Sequence, residues 1–213
     1  MKKTILYFVV IILFYSFSEI SSVLYAQDVF QDCPMEGKTE KVKHKETNRK
    51  KNRYNIPIAS QFDLTVTLAT MLQGEDTIRL KENKAIEITA WVHEVKRGGP
   101  ETCNCGHKGQ DSSDVHIEIA PKKTTTTRKK IIYAEITPRL RTKIFDQLGI
   151  ESNNGLLRKV LKNHKVKIQG WLFYDVNHKD QAYNIDTQDN LGRKNSRATV
   201  WEIHPITSIE IIE

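Results

Sequence analysis

The chain has 213 residues, a formal net charge of +7, 38% hydrophobic and 28% charged residues. That composition excludes a disordered polyelectrolyte and suits one domain with a real core, leaving little room for two. The positive balance is compatible with an anionic partner without demanding one.

Residues 1–26 read as a signal peptide: Lys2 and Lys3 lead an apolar run over 5–17, and a more polar stretch ends in the small residue Ala26. The apolar run is short for a membrane span, and no later segment is long enough for one. Export predicts a periplasmic or extracellular protein in an oxidising compartment. Its three cysteines, Cys33, Cys103 and Cys105, then predict a disulfide from Cys33 to either Cys103 or Cys105, a choice the spacing leaves open. Residues 27–59 form a polar, basic arm. Eight lysines and arginines from Lys38 to Arg53 read as a solvated tail or exposed helix, or as a polyanion-binding arm.

The domain proper is expected over 60–213. Ser60 with Asp63 predicts a helix start, and Leu64, Leu68, Met71 and Leu72 give an apolar stripe over 60–72, ended by Gly74. From residue 86 the period becomes two. Ile86, Ile88, Ala90 and Val92 alternate with Glu87, Thr89, Trp91 and His93, a first strand stopped by Gly98-Gly99-Pro100. Further strands are predicted over 114–120, 131–137, 166–175 and 198–212, the last bent at Pro205. Helical spacing lies between the third and fourth, over 140–148 and 155–161. Strand, strand, strand, helix, strand, strand matches the mainly-β OB-fold, a five-stranded Greek-key barrel; an SH3-like barrel or small sandwich is the alternative.

Chemistry concentrates in residues 101–119. Alternation puts Asp114, His116 and Glu118 on one face of the second strand and Val115, Ile117 and Ile119 on the other. Tyr133 and Glu135 match that polar face on the third strand, with Trp91 and His93 beside it. Asp175 and His178 follow the fourth strand, and Arg197, Glu202 and His204 lie on or near the fifth. Three functions compete for this surface. Outward aromatics with Lys96, Arg97, Lys108, Lys122, Lys123, Arg193 and Arg197 suit a nucleic acid or another polyanion or sugar polymer, although the carboxylates repel phosphate. Cys103, Cys105 and His107, with Asp114 and His116 to complete the shell, suit a divalent metal such as zinc. His116, Asp114, His178 and His204 suit the acid–base work of a metal-assisted phosphodiesterase or nuclease. A structural or partner-docking module is the remaining option.

The motifs Glu101-Thr-Cys-Asn-Cys105, Asp114-Val-His-Ile-Glu118, Gly170-Trp-Leu-Phe-Tyr-Asp175 with His178, and Trp201-Glu-Ile-His-Pro205 resemble those of a group of secreted, functionally uncharacterised bacterial proteins that are OB-like. The likeness covers roughly residues 30–213. It implies that Cys103, Cys105, Asp114, His116, His178 and His204 act together, without naming their chemistry.

Overall fold

The computed structural model describes Phe30, residues 32–74, Arg79, residues 81–184 and residues 195–213. The expected signal peptide and Arg193 lie outside the described residues. Five strands form the frame: β1 (Ala85–Arg97), β2 (Val115–Ala120), β3 (Ile132–Ile136), β4 (Lys165–Tyr174) and β5 (Trp201–Ile211). They close into a barrel in the order β1-β2-β3-β5-β4, an OB-fold-like arrangement in which β3 and β5 run parallel and the other pairs antiparallel.

Closure depends on the length of β1. Its first half pairs with β4 from Ala85↔Trp171 to Trp91↔Lys165, and its second half pairs with β2 from Trp91↔Ala120 to Arg97↔Val115. A bulge between Val92 and Glu94 lets one strand turn from one neighbour to the other. It also moves Val95 into the buried set, while His93 is left half-buried at the irregularity. Alternation elsewhere sends Ile86, Ile88, Ile117, Ile119, Ile132, Ala134 and Ile168 into one continuous core, and an irregular β4–β5 register lets Ile203 and Ile206, three residues apart, both join it. Across from Pro205, Gly170 is required by close approach: a Cβ there would lie 2.5 Å from both Ile203 Cγ2 and the Pro205 carbonyl oxygen.

Two helices join β3 to β4. Pro138, which ends β3, becomes the first residue of the helix Pro138–Gln147, where the missing N–H costs nothing. Asn153 caps the next helix, Asn154–Leu161, by accepting from the Gly155 and Leu156 amides. Ile144, Phe145, Leu157 and Leu161 carry both helices into the barrel core.

The N-terminal part departs further from expectation. The helix foreseen over 60–72 is confined to Leu68–Gln73, capped by Thr67. Phe62 instead bridges to Ala85, the Asp63 amide donates to the Ala85 carbonyl, and the Asp63 carboxylate accepts from the Thr65 amide and hydroxyl. These local bonds satisfy the backbone without a helix, and Leu64 is left exposed. The basic arm holds a helix of its own, Val42–Lys51, with no apolar stripe; its buried residues are Asn48 and Lys51. Among the described residues no helix is long and apolar enough to cross a membrane.

Candidate metal centre

The outward face of β2, β3 and β5 carries the polar row expected from alternation. His116 pairs with Glu135, Glu118 with Tyr133, and Tyr133 with Glu202, with His204 two residues further along β5. The row does not face solvent. The 101–105 loop folds over it, and the Val42–Lys51 helix packs on that loop. The Cys33–Cys105 disulfide ties the arm down, with Cys103 free and buried. Lys38 N donates to the Thr102 carbonyl, and Asn52 donates to the carbonyls of Met35 and Cys103. The cover leaves Asp114, Glu118, Glu135, Glu202 and His204 buried.

Beneath it the geometry is specific. His204 Nδ1 lies 2.9 Å from Glu202 Oε1 and 3.1 Å from Glu135 Oε2. Its Nε2 points to Asp114 Oδ2 at 4.0 Å. Arg197 Nη1 donates to Glu202 Oε2 at 2.8 Å, and Asn104 Nδ2 donates to Asp114 Oδ1 at 3.1 Å. His116 Nε2 stands 3.4 Å from Glu135 Oε1. Gly98 makes room for this imidazole, since a Cβ there would meet Nε2 at 2.8 Å. Within the cluster, Asp114 Oδ2 and His204 Nε2 are buried without a hydrogen-bond partner, while Glu135 Oε2 has only its 3.1 Å contact with His204 Nδ1 and His116 Nε2 only its 3.4 Å contact with Glu135 Oε1. Three overlapping sets bring potential metal-ligand atoms within 4.8 Å of one another: Asp114/Glu135/His204, Glu101/His116/Glu135 and Glu101/Cys103/Asp114.

Charge sets the character of the cluster. Burial, reinforced by Glu101, pushes the Asp114 carboxyl up to about 7. Burial opposes the His204 imidazolium, but Glu135 and Glu202 outweigh it and raise the group to about 10. Burial likewise works against the Glu135 carboxylate, and His116 and His204 overcome it, holding the group well below its usual range. Lys51 sits with Nζ 2.6 Å from Glu101 Oε2 and 3.6 Å from Asp175 Oδ2. Those partners keep it charged despite burial. Beyond Lys51, His178 Nδ1 lies 2.7 Å from Asp175 Oδ2. Five carboxylates (Glu101, Asp114, Glu135, Asp175 and Glu202) thus gather around two permanent cations, Lys51 and Arg197. In a low-dielectric interior that excess of negative charge calls for a further cation or for protons.

The remaining sequence candidates fall elsewhere or play other parts. Cys105 is consumed by its disulfide and His107 is exposed against the Phe30 ring, so the Cys103, Cys105, His107 and His116 ligand set does not assemble. Tyr133 offers no free stacking face, because the Arg197 guanidinium covers its ring at 4.2 Å and its hydroxyl donates to Glu118. Glu118 is held by Lys96 at 2.5 Å and Arg128 at 2.6 Å. Trp91 lies outward at the far end of β2, with Lys123 over its ring at 5.4 Å. Asp114, His116, Glu202, His204 and Arg197 do converge, and Lys51 links them to Asp175 and His178.

Sequence reasoning placed Glu135 on this face without including it in the site, and it missed Lys51, Glu101 and Asn104 as members. Phase with His116 and Tyr133 is the signal for Glu135. Lys51 carries no signal, being one of eight basic residues in a run. No protein-family model matches this chain, and no curated protein matches it in sequence.

Proposed function

We propose that this is an exported protein that binds a divalent metal ion through Asp114, Glu135 and His204, with His116 and Glu101 at the mouth of the site. The observation that carries the reading is the convergence of Asp114, Glu135 and His204, with Asp114 Oδ2 and His204 Nε2 buried and without a hydrogen-bond partner. Each unpartnered buried polar atom costs roughly 1–3 kcal/mol, and one cation that takes the place of the His204 Nε2 proton and binds Asp114 Oδ2, with Glu135 as third ligand, removes that cost for both. The surroundings support the same conclusion. A histidine that ligates through Nε2 needs its Nδ1–H held by an acceptor, and Glu202, anchored by Arg197, supplies one. Asn104 occupies Asp114 Oδ1 and leaves Oδ2 for the ion. The donor set of imidazole and carboxylate suits zinc and neighbouring transition metals.

Burial argues for holding an ion rather than turning over a substrate, since catalytic metal sites keep an open position. His116, with 18% of its side chain exposed, and Glu101, with 23%, mark the side from which an ion enters. The disulfide supports export. A second reading, binding of a phosphate-bearing polymer, is favoured by Lys123 over Trp91 on the outer barrel surface beside exposed Lys122. That reading belongs to the β2–β3 turn and not to the covered row.

The test is metal analysis of protein purified without chelator, followed by calorimetric titration of the stripped protein with zinc. Tight binding is expected, weakened at least tenfold in His204→Ala with the fold intact by circular dichroism. Absence of zinc binding, or equal binding by His204→Ala, would refute the assignment.

A further inference from the structure

Cys103 has no part in the three-ligand set just described and none in the disulfide. It is the free cysteine of the chain, it is buried, and it stands beside two carboxylates. Its Sγ lies 3.5 Å from Glu101 Oε2 and, with Glu101 and Asp114, forms a second set whose ligand atoms all lie within 4.8 Å. The two sets share Asp114, and among the described residues no set contains both Cys103 and His204. The sulfur therefore belongs to a neighbouring position and not to the first ion's shell.

Resting on the metal-binding reading above, we propose that Cys103 is a thiolate ligand to a second zinc-class ion, which Asp114 bridges to the first and Glu101 completes. The ions of two-metal sites lie about 3.5–4 Å apart, a separation that Asp114 Oδ2 spans by binding both ions while Oδ1 keeps its bond from Asn104. The step balances simply: the Sγ–H bond breaks as the S–metal bond forms, and the proton leaves to solvent by way of Glu101, its nearest acceptor. Lys51 holds Glu101 Oε2 and leaves Oε1 for the ion. Charge closes as well. Two divalent ions with Lys51 and Arg197 neutralise the five carboxylates and one thiolate, with every histidine neutral. A thiolate also sets the class of ion, because sulfur favours zinc, cobalt and cadmium over magnesium, calcium and manganese.

Cobalt(II) tests both layers at once, with the disulfide kept intact by omitting reductant. Full-length stripped protein should bind two cobalt ions per chain and develop a sulfur-to-cobalt charge-transfer band in the near ultraviolet. Cys103→Ser should lose the band and fall to one ion. Glu101→Gln, at a partly exposed position, should fall to one ion as well and covers the case in which the serine variant does not fold. One ion per chain in the wild type, or two without the thiolate band, overturns this inference and leaves the Asp114/Glu135/His204 site standing. No cobalt bound at all overturns both.

Discussion

Removing the Cys33–Cys105 disulfide tests how the arm is held. The bond closes a loop across 72 residues of sequence, and constraining a loop of that length in the unfolded chain is worth about 4.4 kcal/mol at 25 °C. The folded arm keeps its other anchors: the Lys51–Glu101 ion pair, the Asn52 bond to Cys103, and the Lys38 bond to Thr102. The cost should therefore fall on the unfolded state. In Cys33→Ala/Cys105→Ala, urea unfolding should report a stability loss near ~4 kcal/mol and a steeper denaturant slope, since the uncrosslinked chain exposes more surface. Under native conditions trypsin should still spare Lys51, which is buried. A loss below ~1 kcal/mol with an unchanged slope would refute the loop-entropy argument. Cleavage at Lys51 without urea would refute the claim that polar contacts alone keep the arm in place.

Asn104→Ala removes the donor to Asp114 Oδ1 inside the buried cluster; a loss of roughly 1–3 kcal/mol in the metal-free protein is expected, with zinc affinity reduced ~10-fold or more by calorimetry. Glu94 is bonded by Arg158, and also by Lys162 and the Val95 amide, which bring its carboxyl down from 4.5 to about 2. The group's folded value is depressed, so its contribution is present above pH 4.5 and disappears as pH falls through about 2. Glu94→Gln should thus cost ~0.5–1 kcal/mol at pH 7, a small effect because the pair is solvent-screened, and nothing near pH 2; equal losses at both pH values would sink the ion-pair account. Gly170→Ala puts a methyl against Ile203 and the Pro205 carbonyl, and a melting curve should show a loss at the upper end of about 1–3 kcal/mol.

How much could be read beforehand differs between barrel and site. Ile86, Ile88, Ala90 and Val92 announce β1 by alternation alone, and Asp114, His116 and Glu118 announce the polar row in the same way. Both are one-strand patterns, legible because side-chain direction in a strand depends only on position. Leu64 and Leu68 imitate a helical stripe equally well, yet Asp63 and Thr65 stop the helix from starting there. That outcome rests partly on Phe62 reaching Ala85, a partner no local pattern identifies.

The sequence by itself determined the order of strands and helices, the inward and outward faces of each strand, and the presence of a His and carboxylate row on β2. Those features follow from periodicity and turn chemistry over a few residues. The tertiary structure alone decided that the row is covered. It selected Cys105 over Cys103 for the disulfide and turned Lys51 from one basic residue among eight into the buried partner of Glu101 and Asp175. Such pairings join residues 50 to more than 100 positions apart. Their physical reason is the need to satisfy buried charge once the barrel has closed, a demand that exists only when distant segments meet.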